Sequence, residues 1–382
     1  MNADTLGQLI MTGVPGKGLD AETARLFRRV QPGAYILFGR NLESATQLRK
    51  LIDDLRDLSD IEPIITIDQE GGRVSRLRLI GNEPPNAQQL RDKNDINLIR
   101  RHGDITGRLL RLFGFNLDLC PVLDISFDDD AENSLRGRCY GKTVEQVVRN
   151  AGAFNDAMRE QGIASCGKHF PGYSAATSDA HYQLPCIDRT REELDENELA
   201  VFRAFIGRDA PLGRPDSAAR RPYHIIDSMM ICHAWYPCFE SQSTPATVSR
   251  RIVTELLRNE FGFEGLVMTD DLDMGAILIR YRLDETIRLC LEAGNDIMML
   301  CHRVPEIENV LRILGGLPSD QIERAQQHIG EFKKTLSPPQ PFSESAFQEI
   351  NREIADLRTA VVGKEEAGRV VRERQISPVE RF

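Results

Sequence analysis

Four short apolar runs in this sequence end in titratable residues. Leu266 to Thr269 runs into Asp270 and Asp271, Ile163 to Gly167 into Lys168 and His169, Pro63 to Ile67 into Asp68-Gln-Glu-Gly-Gly-Arg-Val-Ser-Arg76, and Met229 to Cys232 into His233. A carboxylate at the end of a buried run loses hydration, which hydrogen bonds or a cationic partner must replace. Asp270 is therefore a candidate for chemistry. Helix capping competes with that reading, because Asp is a favoured N-cap, and it competes more for Asp271 than for Asp270.

The segment GKHFPGYSAATSDAHYQLP adds a second candidate, Asp179 two residues before His181. A carboxylate at that spacing orients an imidazole and stabilises its protonated form. The result is a dyad that can act as general acid and general base near neutrality. A solvated loop histidine is the competing reading of His181.

Such residues need a scaffold that brings strand ends together. Apolar runs at Gln8 to Thr12, Tyr35 to Phe38, Pro63 to Ile67, Leu119 to Leu123, Ile163 to Gly167, Met229 to Cys232, Leu266 to Thr269 and Asp296 to Leu300 read as strands. Helical periodicity follows each, over Ala21 to Arg29, Ser44 to Leu58, Asn97 to Phe113, Val144 to Gln161, Arg191 to Phe205, Ser249 to Phe261, Asp284 to Glu292 and Val304 to Leu314. Eight strands alternating with eight helices predict an α/β protein with a single (β/α)8 TIM barrel, whose site gathers at the C-terminal ends of the strands. An open doubly wound sheet is the structural alternative, but GVPGKGLD after the first strand matches neither GxGxxG nor the P-loop.

The barrel domain is expected over residues 1–336, interrupted by a Pro-, Gly- and Arg-rich loop insertion at 207–223. Residues 337–382 are expected to form one C-terminal helix, about Glu344 to Leu357, and a charged tail that is mobile beyond about Val362. No repeat and no second domain is visible.

Of the 382 residues, 41% are hydrophobic and 28% charged, with a formal net charge of −10 and scattered basic residues. That balance disfavours nucleic acid and anionic membranes as partners and suits a small neutral substrate. Neither a leader-like start nor a run of about 18 apolar residues is present, so a cytoplasmic protein is expected. The 8 cysteines include no CxxC pair and read as reduced, buried thiols, without a metal site. The chain is expected to work as a monomer without a cofactor.

DQEGGRVSRL from Asp68, KHFPG from Lys168 with its downstream Asp179-x-His181, and TDDL from Thr269 occur in that order at barrel spacing. Together with YILFGRNL, ICHAWYP, TVSRRIVTELLRNEFGFEGLVMTDDLDM and EAGNDIMML, they make Leu6 to Gly316 resemble glycoside hydrolase family 3. Within it, the similarity is to the bacterial single-domain β-N-acetylglucosaminidases (β-N-acetylhexosaminidases) of cell-wall recycling. The resemblance implies Asp270 as catalytic nucleophile and His181 with Asp179 as acid and base. It also implies Asp68, Arg76, Arg138, Lys168 and His169 as substrate-binding residues, with an N-acetylglucosamine-containing glycan or muropeptide as substrate. Glu70 and Arg73 are expected to pair within the barrel mouth.

The family pattern in the acid–base loop is KHFPGHGDT, whereas Tyr173, Ser174 and Ala175 stand here. The change removes a permissive glycine and an acidic acceptor. A β-glucosidase, a glycoside phosphorylase, a non-catalytic sugar-binding descendant and attack by the substrate's own acetamido group stay open as alternatives.

Overall fold

The computed structural model describes residues 3–130, 133–176, 178–206 and 225–368. Eight parallel strands close into a barrel in chain order: β1 (Ile10–Gly13), β2 (Ala34–Leu37), β3 (Ile64–Ile67), β4 (Leu117–Asp118), β5 (Ala164–Phe170), β6 (Ser228–Ile231), β7 (Leu266–Asp271) and β8 (Ile297–Leu300), the last pairing back with β1. The expected (β/α)8 barrel is the observed one. Helices cover the outer face of the strands, so β3 (IITI) and β8 (IMML) are buried at every position and read as unbroken apolar runs.

One strand lies earlier than expected. The fourth pairs with its neighbours at Leu117 and Asp118, not over Leu119 to Leu123, and only Val122 bridges to Lys168 further on. Pro121 explains the displacement, because it has no N–H to donate to a ladder. Its carbonyl still accepts from the Lys168 N–H, at 3.3 Å.

Around the barrel run α1 (Ala21–Val30), α2 (Ala45–Asp57), α3 (Ile96–Phe113), α4 (Val144–Glu160), α5 (Glu198–Ile206), α6 (Arg251–Glu260), α7 (Leu283–Ala293), α8 (Ile307–Leu314), α9 (Ser319–Thr335) and α10 (Glu344–Val362). Side chains at their starts satisfy free amides: Asp20 accepts from Thr23, Ser44 from Gln47 and Thr143 from Gln146. The helix expected over Arg191 to Phe205 is broken at Asn197, whose ψ of −95° leaves the helical region, so α5 follows a separate turn at Arg191–Glu196. The helix α9, between the eighth barrel helix and the C-terminal one, is not among those expected. It buries Ile322, Ala325, Ile329 and Phe332 on one face.

The C-terminal helix α10 docks against α3. Phe113 stacks on Phe342 at 5.8 Å and meets Phe347 edge-on at 5.4 Å, while Arg108 grips Glu353 with two hydrogen bonds of 2.9 and 2.6 Å. It continues past Leu357, and Arg358 reaches Glu83 at 2.9 Å, near the barrel mouth. The insertion expected at 207–223 and the tail from 369 lie outside the described residues. Among the described residues no helix is long and apolar enough to cross a membrane.

The helices α3 and α4 pack closely. A Cβ on Gly103 would stand 2.2 Å from the Phe154 carbonyl oxygen, which is backbone and cannot swing aside. Gly103→Ala is expected to lower stability by about 1–3 kcal/mol through this overpacking, read by chemical denaturation. An unchanged midpoint would mean that the two helices separate freely.

Candidate active site

The site grows from the end of β3. After Ile67 the chain places Asp68 at the mouth and folds into a small hairpin, Gln69–Gly71 against Val74–Ser75. Gly71 and Gly72 turn it with φ of 112° and 56°, a backbone region that glycine enters without a Cβ penalty. The return strand brings Arg76 back to Asp68, with Nη2 3.2 Å from Oδ2. This explains the spacing of eight residues between the two.

Strand β5 carries Lys168 into the same space. Its ammonium donates to Asp68 Oδ1 at 2.7 Å and lies 2.7 Å from Glu70 Oε1. Glu70 in turn receives Arg138 through Nε and Nη2, both at 2.7 Å. Burial alone would raise the pKa of both carboxylates; Lys168 and Arg76 around Asp68, and Arg138 and Lys168 around Glu70, outweigh it. Asp68 is held well below the usual carboxylate range and Glu70 down to about 2. Lys168 and Arg138 are buried too, yet the carboxylates push their pKa values up. Beneath them Asp118, fully buried, is raised by desolvation to about 8 and is neutral at pH 7.

His169 stands beside Lys168. Its Nδ1 donates to Asp124 Oδ2 at 2.7 Å, and its Nε2 lies 3.4 Å from Arg138 Nη2. Since a guanidinium only donates, that pair of contacts describes a neutral ring with the proton on Nδ1.

The other wall comes from β7. Asp270 accepts from the Asp271 N–H at 2.8 Å and makes no salt bridge to a described residue. Asp271 borders the same space, but its Oδ1 accepts from the amides of Asp273 (3.0 Å) and Cys301 (3.2 Å), and burial followed by the charge of Asp273 raises its pKa to about 7. Capping is therefore not what either aspartate does. The next helical turn, Gly275–Leu278, has Met274 at its N-cap and no side-chain cap. His233 is structural, since it is fully buried with Nε2 donating to the Asp271 carbonyl at 2.9 Å and Nδ1 2.6 Å from Thr247 Oγ1. It ties the end of β6 to the end of β7.

The loop after β5 delivers the dyad. Asp179 Oδ1 accepts from His181 Nδ1 at 2.6 Å and from the His181 N–H at 3.0 Å. Burial opposes ionisation of Asp179, but the bonds to His181 outweigh it and lower its pKa, so it is an acceptor and Nδ1 carries the proton. Nε2 is left without a hydrogen bond to a described residue. The loop is clipped to the β7 side by the amides of Gly275 and Ala276, which donate to the carbonyls of His181 and Ala180, each at 3.0 Å.

Asp68, Arg76, Arg138, Lys168, His169, His181 and Asp270 all line one cavity, on a bed of Met230, Met274, Met299 and Leu119. Asp179 lies outside it. It borders a second, larger cavity of about 580 Å³ that shares Arg73, Ser134 and Arg138 with the first and reaches Arg358 on α10. This is the strand-end convergence expected of a barrel enzyme.

Residues 2–332 match the glycosyl hydrolase family 3 N terminal domain. The chain belongs to that family. A beta-hexosaminidase of Vibrio cholerae is 31% identical over 340 residues, 89% of this chain and 93% of that protein. Among solved structures, a glycoside hydrolase family 3 beta-N-acetylglucosaminidase from Paenibacillus sp. str. FPU-7 is 29% identical with a TM-score of 0.80, over 94% of this chain and 69% of that one. Native NagZ from Neisseria gonorrhoeae is 27% identical with a TM-score of 0.74, over 91% and 97%.

Within this family 3 barrel, neither Asp124 nor what Tyr173 holds is among the expectations from sequence, and Glu70 is expected there without its partners. Asp124 orients His169, and it also ends an apolar run, PVLD, so the signal used for the other strands points to it. Glu70 does pair in the mouth, but its partners are Arg138 and Lys168, a link that requires the register between strands. Tyr173 holds the acid–base loop, and no periodicity announces that. Arg73, also expected to pair, donates only to the Ser134 carbonyl, at 2.6 Å.

Lys168→Met leaves Asp68 and Glu70 buried with less compensation and is expected to cost about 3–5 kcal/mol at pH 7. In the wild type both carboxylates have depressed pKa values, so their contribution is present above the unfolded values and is lost only as pH falls towards about 2. In the variant the carboxyls gain from protonation, so its deficit should narrow between pH 7 and pH 4. Urea titrations at both pH values read this, and a deficit constant with pH would refute the pairing.

Proposed function

We propose that this chain is a retaining exo-β-N-acetylglucosaminidase that removes terminal, non-reducing N-acetylglucosamine from cell-wall (muropeptide) fragments. The observation that carries the reading is the pairing in one cavity of Asp270, a carboxylate without an ion-pair partner among the described residues, with His181, whose Nδ1 is committed to Asp179 and whose Nε2 is not. Names of the relatives as beta-hexosaminidase and beta-N-acetylglucosaminidase support the sugar specificity. The unpaired cysteines fit a reducing, cytoplasmic compartment.

Asp270 attacks the anomeric carbon as the glycosidic C–O bond breaks, and a proton from His181 Nε2 goes to the leaving oxygen. The product is a glycosyl ester on Asp270. A water then gives its proton to His181 Nε2 and attacks the same carbon. The ester bond breaks back to the carboxylate, and two inversions leave the anomeric configuration retained. Asp179 stabilises the imidazolium in the resting and product-forming states. Asp68, Arg76 and Lys168 hold the sugar hydroxyls with charge-assisted bonds, and His169 and Arg138 close their edge. The leaving group extends past Asp179 into the 580 Å³ cavity, where Arg73 and Arg136 have no carboxylate partner among the described residues.

Hydrolysis of p-nitrophenyl N-acetyl-β-glucosaminide is expected to exceed that of the corresponding glucoside. His181→Ala is expected to lower kcat/KM for unactivated glycosides by about 100- to 10,000-fold, the usual worth of general acid–base catalysis. Equal or faster glucoside turnover would contradict the specificity. Accumulation of sugar 1-phosphate when phosphate is added would make the enzyme a phosphorylase.

A further inference from the structure

We propose that Tyr173 is the positioning residue of the acid–base loop, its hydroxyl holding the Asp179–His181 dyad over the sugar site in place of the residues the family pattern has there. The inference rests on the assignment of His181 as general acid.

The phenol hydroxyl donates to the Ser178 carbonyl and accepts from the Ala180 N–H, both at 3.0 Å. These two backbone groups flank Asp179, so one oxygen brackets the residue that orients His181. The backbone of Tyr173 is anchored on the opposite side: its N–H donates to Asp124 Oδ1 at 2.6 Å, and the other oxygen of that carboxylate holds His169. The tyrosine thus links the sugar clamp to the acid–base loop through a single side chain. Its neighbour reinforces the base of the loop, because Ser174 Oγ accepts from the Ile125 N–H at 2.8 Å.

The ring is buried, centred 6.1 Å from that of His169. Burial pushes the phenol pKa far up, which keeps the hydroxyl protonated as a donor. Other ties of the loop run from the amides of Gly275 and Ala276 to the carbonyls of His181 and Ala180 and from the amides of Tyr182 and Gln183 to the Asp179 carbonyl; among the described residues none of these holds the Ser178 carbonyl or the Ala180 amide. Without the hydroxyl, the Ser178 carbonyl and Ala180 amide lose their partner. The dyad can then drift, and a misplacement of about 1 Å is enough to cost much of a proton transfer.

Tyr173→Phe keeps the ring and removes the two bonds. The test compares kcat/KM for two aryl N-acetyl-β-glucosaminides: the phenyl glycoside, whose leaving group needs a proton, and the 2,4-dinitrophenyl glycoside, which needs none. The expected result is a loss of about 10- to 100-fold on the first and less than about twofold on the second, the pattern of impaired acid catalysis. His181→Ala serves as reference for that pattern. Equal losses on both substrates, or none on either, overturn the proposal. Hydrogen exchange supplies a second readout in the folded variant. Faster exchange confined to 178–182 supports the positioning role, and uniform acceleration that includes α4 overturns it. Inactivity of the wild type would end the glycosidase reading and this one together, whereas an active wild type with equal losses in Tyr173→Phe ends this one alone.

Discussion

A buried ammonium shared by two carboxylates organises the mouth of this barrel. Lys168 on β5 meets Asp68 and Glu70 from the end of β3, Arg76 returns to Asp68 through the hairpin, and Arg138 closes on Glu70 with two parallel bonds. None of these charges would be tolerated alone in so dry a place, and each is tolerable because the others are there. The network joins three segments far apart in the chain. It sets the geometry of the proposed sugar clamp before any ligand arrives, which is what charge-assisted recognition of hydroxyls requires.

The reacting side is built differently. Asp270 sits on a rigid strand, next to an aspartate whose carboxyl is occupied by backbone amides, and its own carboxylate is left with one neighbouring N–H. The proposed acid and base, His181 with Asp179, hang on a loop. That loop is fixed by a few hydrogen bonds to backbone groups, from Tyr173 on one side and from the turn after β7 on the other. A stiff clamp and a lightly held dyad suit a mechanism in which the same imidazole gives a proton in one step and takes one in the next.

Much of this was legible before any coordinates. Apolar runs mark seven of the eight strands within one to three residues, because parallel strands buried on both faces leave no other pattern, and four runs end in titratable residues. The fourth misleads because its apolar run continues through Pro121, which pairing cannot follow. Asn197 breaks a helix whose composition favours continuity, and α9 was passed over although its apolar residues repeat at helical spacing. Residue roles were harder to see than residue positions. Asp271 looked like a cap and serves instead as an acceptor for the amides of Asp273 and Cys301. His233 looked like part of the polar rim and is a buried brace. Pairings such as Glu70 with Arg138 or His169 with Asp124 join a strand end or hairpin to a loop far away in the chain, a contact that one sequence does not display.

If the mouth pairs its other charges and leaves Asp270 for the sugar, a glycosyl ester should form there. The direct measurement is to incubate the enzyme with a fluorinated N-acetylglucosaminyl fluoride that slows the second step, then digest it and locate the added mass. The account predicts label on Asp270 and none when that residue is replaced by Asn. An active enzyme that yields no label on Asp270, with the acetamido group of the substrate taking the place of the nucleophile, would contradict it.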